Sequence, residues 1–175
     1  MFKADTCQQL DPQLYKNGMR RLAGAVCILT LNRDGEWAGL TATAVSSISA
    51  EPPRLMVCIN RNVYAHEFVE LGGPLCVNVL ESGQLDDAKR FAGMIDGVKG
   101  QDRFSTGPWE QSGVDAPELS TSMVRFQCRI GEVILASTHS IVICDVVAVT
   151  AAEAEASPLI YFNGRFTAVA DSLAN

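Results

Sequence analysis

The sequence predicts a mostly β fold: an antiparallel barrel with a few peripheral helices. Several runs of strand length, rich in Val, Ile, Leu and Thr, follow one another with short turns between them. Few segments repeat apolar residues at helical spacing. No internal repeat or shift in composition divides the 175 residues, so residues 1–175 are read as a single domain of ordinary size.

Taken in order, Asp11 is placed to cap a helix with Pro12 in its first turn, running to about Leu22. "AVCILTLNRDGEWAGLTATAV" then reads as strand, turn, strand, with Asp34-Gly35 the turn. From Thr41 to Ala50 no side chain is larger than Ile48, and a double proline ends the run. "PRLMVCIN" is a strand, "AHEFVELGG" a short helix ending in glycines, and "PLCVNVL" another strand. Ser82 is expected to cap a helix carrying Leu85, Ala88 and Ala92 on one face.

Gly93 to Thr121 is rich in Gly, Pro, Ser and charge, with no period, which marks a functional loop rather than idle linker. "VRFQCRIGEVIL" sets Val124, Phe126, Cys128 and Ile130 against Arg125, Gln127 and Arg129. "SIVICDVVAV" is apolar on both faces and reads as a buried strand, and "PLIYFNGRF" closes the pattern.

An apolar fraction of 47% with 19% charged residues belongs to a compact fold. No run approaches the ~20 apolar residues that cross a bilayer, and the N-terminus lacks the apolar core of a secretory signal. A cytoplasmic protein without membrane contact is expected. The net charge of −6 offers no basic stripe for nucleic acid. An anionic ligand would need a few placed cations or main-chain amides. Five of the six cysteines, Cys27, Cys58, Cys76, Cys128 and Cys144, sit in apolar runs, and with Cys7 they form no C-x-x-C pair. Structural thiols are expected, and neither a disulfide framework nor a metal site.

Small side chains let something large approach the backbone, and hydroxyls and amides can then bond an anion or a ring edge. Thr41–Ser47 is therefore either one wall of a site for a flat, phosphate-bearing ligand or a strand packed closely on a helix or a second subunit.

"GLTATAVSSISAEPPRLMVCIN", "LCVNVL", "RFAGM", "DRF", "THS" and "LIYFNGRF" occur in one succession. Together they resemble the flavin reductase-like family, the reductase components of two-component flavin monooxygenases acting on 4-hydroxyphenylacetate or chlorophenols. The resemblance spans residues 12 to 170. It implies a split-barrel, Greek-key, flavin-binding fold and a homodimer with flavin in a groove near the subunit interface. It also implies hydride transfer from NADH, or NADPH, to FAD or FMN, with the reduced flavin passing to a separate monooxygenase that hydroxylates an aromatic substrate. The absence of G-x-G-x-x-G agrees, because this fold holds its dinucleotide without a Rossmann unit. A split-barrel protein that carries flavin without reducing it is the alternative.

By the same resemblance Thr41, Ala42, Thr43, Ala44, Ser46 and Ser47 line the flavin. Asn60, Arg61, Asn62 and Ala65 grip its phosphate; Val63 stands where the family commonly has serine, so Tyr64 or a main-chain amide replaces that contact or it is lost. Arg90, Phe91, Arg103 and Phe104 lie near the flavin tail and the pyridine nucleotide, where a guanidinium can bind pyrophosphate bidentately. His139 lies against nicotinamide, which makes His139 and Arg103 the catalytic candidates. Tyr161 and Arg165 approach flavin or the partner subunit, with Asn163 standing where many relatives have a basic residue. His66 is read as a helix-start or surface histidine.

Overall fold

The computed structural model describes residues 10–111, 115–152 and 156–169; Cys7 lies outside them. Asp11 accepts the Gln13 N–H at 2.8 Å and Pro12 opens α1 (Pro12–Met19). Beyond Met19 the chain keeps turning through bonds from Arg21 to Gly18 and Leu22 to Met19, so the expected helix ends in a tighter turn. No residue of α1 is buried.

β1 (Gly24–Ala25) leads into β2 (Cys27–Arg33) and β3 (Glu36–Ala42), joined at Asp34-Gly35 with both residues at positive φ, as a two-residue hairpin demands. β4 (Val45–Ala50) and β5 (Pro53–Asn60) follow, then a 3-10 helix (Tyr64–Phe68), β6 (Pro74–Val79) and α2 (Leu85–Phe91). A second 3-10 helix (Gly100–Phe104), β7 (Trp109–Glu110) and β8 (Glu118–Leu119) precede the long pair β9 (Val124–Ala136) and β10 (His139–Ala151). β11 (Leu159–Phe162) and β12 (Arg165–Ala168) form the last hairpin.

Seven antiparallel strands make the main sheet in the order β3-β2-β6-β9-β10-β5-β4. β3 and β4 are its two outer edges, yet only Thr43 and Ala44 separate them in the chain. Three residue steps reach at most ~11 Å, so the sheet must curl until its edges nearly meet. They do not pair with each other, and the result is a split barrel. The small-residue segment read as one strand is thus two, broken at the split, because β3 pairs with β2 while β4 pairs with β5.

Leu29, Leu31, Val57, Ile59, Leu75 and Val77 fill the barrel with Cys128, Val142 and Cys144. Val26 and Ile28, one residue out of phase, face a second cluster with Ala88, Phe91, Leu119 and Leu159. β2 is consequently buried on both faces. Cys27, Cys128 and Cys144 have thiols pushed up to about 12 by burial, and the Cys76 thiol is held well above its usual range by the same cause. These thiols are packing groups.

The outer face of β9 is roofed rather than solvated. Gln127 donates to the Ala116 carbonyl at 2.7 Å, while Arg125 pairs with Glu118 and Arg129 with Asp115. β10 corrects the sequence reading. Ser140, Val142 and Cys144 are buried, but Val147 and Val149 are each 57% exposed. Pairing with β5 ends at Asp145–Arg54, and from there β10 runs on beside β9 alone. α2 corrects a second detail. Gln84, not Ser82, stands at its N-cap, and its Oε1 accepts the Glu81 N–H at 2.9 Å. The Ser82 N–H is drawn instead to the Ser157 carbonyl, 2.8 Å away.

α2 packs on the barrel through Gly39. A Cβ there would lie 2.7 Å from Phe91 Cε1 and 3.1 Å from the Leu29 carbonyl oxygen. Phe91 cannot retreat, being wedged between Phe104 and Trp109 at ring-centroid distances of 5.0 and 5.1 Å. Gly39→Ala is therefore expected to cost ~1–3 kcal/mol as overpacking. Denaturant unfolding checks it; an unchanged midpoint would remove the steric argument.

Candidate active site

A cleft of about 710 Å³ opens at the split, within the ~300–1,000 Å³ range of small-molecule sites. One wall is Gly39, Leu40, Thr41 and Ala42 of β3 with Thr43 and Ala44 of the crossover. The opposite side is the end of α2, Phe91 to Gly93, and the loop Ile95–Gly100. Cys58 and Asn60 of β5, the turn Val63–Ala65, Arg103 and His139 complete it. Gly39 and Ala42 meet the cleft through main chain, their sides turned to Phe91 and to the barrel core, and Ala44 adds only a methyl, so a flat ligand can lie against main chain.

Local bonds explain why these residues converge. Asn60 ends β5, and its Oδ1 accepts the Asn62 N–H at 2.9 Å, turning the chain into the 3-10 helix. His139 begins β10 directly opposite Asn60, after a turn in which Ser137 adopts φ 55°. Its Nδ1 lies 2.9 Å from Thr138 Oγ1, and the ring is exposed to the cleft. His66 lies in the first turn of the 3-10 helix but is half-buried rather than on the surface: its Nε2 meets the buried Ser140 Oγ at 2.9 Å, a structural contact.

Thr41 lines the cleft, but its hydroxyl donates to the Ala88 carbonyl at 2.7 Å and so anchors α2 as well. Arg103 also lines it. Its Nη1 donates to the Gly39 and Phe91 carbonyls, at 3.0 and 2.9 Å, tying β3 to α2. Desolvation holds its pKa below the usual guanidinium value. The structure therefore gives Arg103 a scaffold role that the sequence does not announce.

Nine of the sequence candidates line this cleft: Thr41, Ala42, Thr43, Ala44, Asn60, Ala65, Phe91, Arg103 and His139. The others lie outside it. Ser46 and Ser47 follow β4 away from the split, with Ser46 Oγ bonded to the Ser47 carbonyl. Arg61 turns to the Ser137 carbonyl at 3.2 Å, and Arg90 to the Asp102 carbonyl at 3.4 Å. Asn62 is exposed in the turn, and Phe104 packs among Trp37, Phe91 and Trp109. Tyr161 stacks edge-on against Phe166 and borders a second cavity, of about 570 Å³, with α1 and Thr43. Arg165 is exposed beside the turn of the last hairpin, paired with Phe162.

Sequence reasoning missed Cys58, Asp96 and Lys99 as lining residues. The Gly-rich composition of 93–100 was the available signal. Among the described residues no group of three or more His, Cys, Asp or Glu is placed to hold a metal ion, and no helix is long and apolar enough to cross a membrane.

Residues 19–170 match the family described as the flavin reductase like domain. The chain is 37% identical over 158 residues to the FMN reductase (NADH) RutF of Stutzerimonas stutzeri strain A1501, covering 90% of this chain and 88% of that protein. It is 39% identical over 152 residues to the RutF of Agrobacterium fabrum strain C58, covering 87% and 85%. The NADH:FAD oxidoreductase SgcE6 of Streptomyces globisporus, solved in complex with NAD and FAD fragments, superposes with a TM-score of 0.83 at 25% identity. That match covers 94% of this chain and 98% of SgcE6.

Proposed function

The chain belongs to the flavin reductase-like family, and from that premise we propose that it is an NADH:FMN oxidoreductase that releases reduced flavin to a separate flavin-dependent monooxygenase. The observation that carries the reading is the cleft at the split, floored by Gly39, Ala42 and Ala44 and bordered by His139. Relatives named as FMN reductases using NADH, at 37–39% identity, support FMN and NADH over FAD and NADPH.

The residues present suit such a ligand. Short side chains leave room for an isoalloxazine plate, while the Thr43 hydroxyl and the Asn60 amide offer polar contacts at its edge. Hydride transfer from nicotinamide to flavin is chemistry the two cofactors supply when bound. The protein's work is alignment and exclusion of water. β3 and the crossover set the plane of the site, Arg103 clamps α2 against it, and His139 borders the open side where a nicotinamide would settle.

Apolar side chains left in solvent where β10 runs on past the end of β5, Val147 and Val149, support a homodimer. A cytoplasmic site of action belongs to the same proposal, in keeping with the composition of the chain.

Steady-state NADH oxidation with FMN and FAD, crossed with NADPH, tests the reading; consumption at the no-protein background with both flavins would refute it. His139→Ala is expected to raise the KM for NADH or lower kcat about tenfold, the loss of one positioning contact. Since the ring is exposed and, among the described residues, bonds to its neighbour Thr138 alone, the fold should persist, and unchanged kinetics would remove His139 from the site.

A further inference from the structure

We propose that Lys99 supplies the positive charge that receives a cofactor phosphate in this cleft, an assignment that rests on the flavin reductase reading. The argument is one of charge. The chain carries a net −6, so a phosphate dianion entering the cleft needs a local cation. Of the four arginines the sequence offers, the fold engages three with main-chain carbonyls, Arg61 with Ser137, Arg90 with Asp102, and Arg103 with Gly39 and Phe91, and sets Arg165 on the last hairpin, away from the cleft. Of these only Arg103 borders the cleft.

Lys99 remains. It lines the cleft, is exposed, and makes no ion pair or side-chain hydrogen bond among the described residues. Its backbone is extended (φ −139°, ψ 158°) between Gly97 and Gly100, both at positive φ, so the loop turns sharply on either side of it. Gly100 abuts Tyr64: a Cβ at Gly100 would stand 3.9 Å from Tyr64 Cε1. Lys99 therefore sits beside the turn from Asn60 to Ala65, the stretch whose own arginine points elsewhere. The charged side chains facing it are Asp96 and Arg103, with the imidazole of His139 beside them. Asp96 is the one carboxylate among the lining residues, and a lysine on the same loop offsets it. A long, flexible ammonium can follow a phosphate that enters and leaves with its carrier, which a guanidinium bonded to the barrel cannot.

The test is equilibrium binding without turnover. Flavin fluorescence quenching gives Kd for FMN and for riboflavin, and displacement or calorimetry gives it for ADP-ribose, in wild type, Lys99→Gln and Lys99→Arg. Lys99→Gln is expected to weaken FMN or ADP-ribose about tenfold, the loss of one charge-assisted contact, with riboflavin unchanged. Lys99→Arg should restore most of the loss. Loss for FMN alone assigns the flavin phosphate; loss for ADP-ribose alone assigns the dinucleotide pyrophosphate. Unchanged binding of both, or an equal loss for riboflavin, overturns the proposal. Wild-type protein that binds neither flavin would overturn the flavin reductase reading itself, and this assignment with it.

Discussion

Ala44→Phe is expected to weaken flavin binding by about a hundredfold or more while leaving the fold intact, because a ring placed in the cleft occupies volume that the ligand needs. Ala44 is suited to this test for three reasons. It lies in the two-residue crossover rather than in a strand, so its side chain fills no slot in the sheet. It is exposed, unlike its neighbour Ala42, which is packed into the barrel core. Its structural bond is made by main chain, the carbonyl accepting the Cys58 N–H at 3.1 Å, and survives any substitution. A larger residue at Ala42 would confound blockage with overpacking; at Ala44 the two separate. The measurements are flavin Kd by fluorescence quenching and the thermal midpoint. Retained binding with an unchanged midpoint would mean that the ligand does not lie against the crossover, and the proposed site would be lost.

That crossover also shows where the sequence stops being informative. The strands of the barrel are legible because their apolar runs are local, and the Asp34-Gly35 turn carries its own chemistry. The break at Thr43–Ala44 has no such marker. It exists because Thr41 is paired with Ile28 on one edge of the sheet while Val45 is paired with Val57 on the other, and neither partner is visible from "TATAV". β10 teaches the same point. Val147 and Val149 are as apolar as Val142, and only the end of β5 at Pro53–Arg54 leaves them uncovered. The site divides along the same line. Composition leaves the small-residue stretch open between a ligand wall and a closely packed strand, and only the family resemblance singles out Ala42, Ala44 and His139, which the fold places along the cleft. An arginine's direction depends on which carbonyl folding brings near it, and Arg61 and Arg90 turn to carbonyls outside the cleft for that reason. The loop from Gly93 to Thr121 was flagged as functional throughout. Its first part is cleft wall, while residues 115–121 roof β9.

That roof rests on a buried amide, and Asn78→Leu is expected to lower stability by ~3 kcal/mol, since it strips partners from several desolvated groups at once. Asn78 has no exposed surface. Its Nδ2 donates to the Ile28 carbonyl at 3.1 Å and to Thr30 Oγ1 at 3.3 Å, while its Oδ1 accepts the Leu119 N–H at 2.8 Å. Thr30 in turn donates to the Pro117 carbonyl. The segment around Leu119 thus takes its main-chain bonds from side chains of the barrel wall in addition to the two-residue pair β7–β8. Leucine keeps asparagine's branched outline of four heavy atoms and opens no cavity, but it leaves the Leu119 N–H buried without that acceptor, so the loss reports the polar cost rather than a cavity. Thr30→Val should cost less, ~1 kcal/mol for one neutral bond, and the two changes together should be less than additive because they share a network. The consequence reaches the site. Leu119 packs in the cluster that holds Phe91, and Trp109, opposite it across β7–β8, wedges Phe91 and Phe104. Loosening the roof releases the ring against which Gly39 and Arg103 are set, so flavin affinity should fall along with stability. Denaturant unfolding and flavin titration of the Asn78→Leu protein measure the two effects. An unfolding midpoint equal to wild type would show that the amide carries no such weight, and a large stability loss with unaltered flavin affinity would uncouple the roof from the cleft.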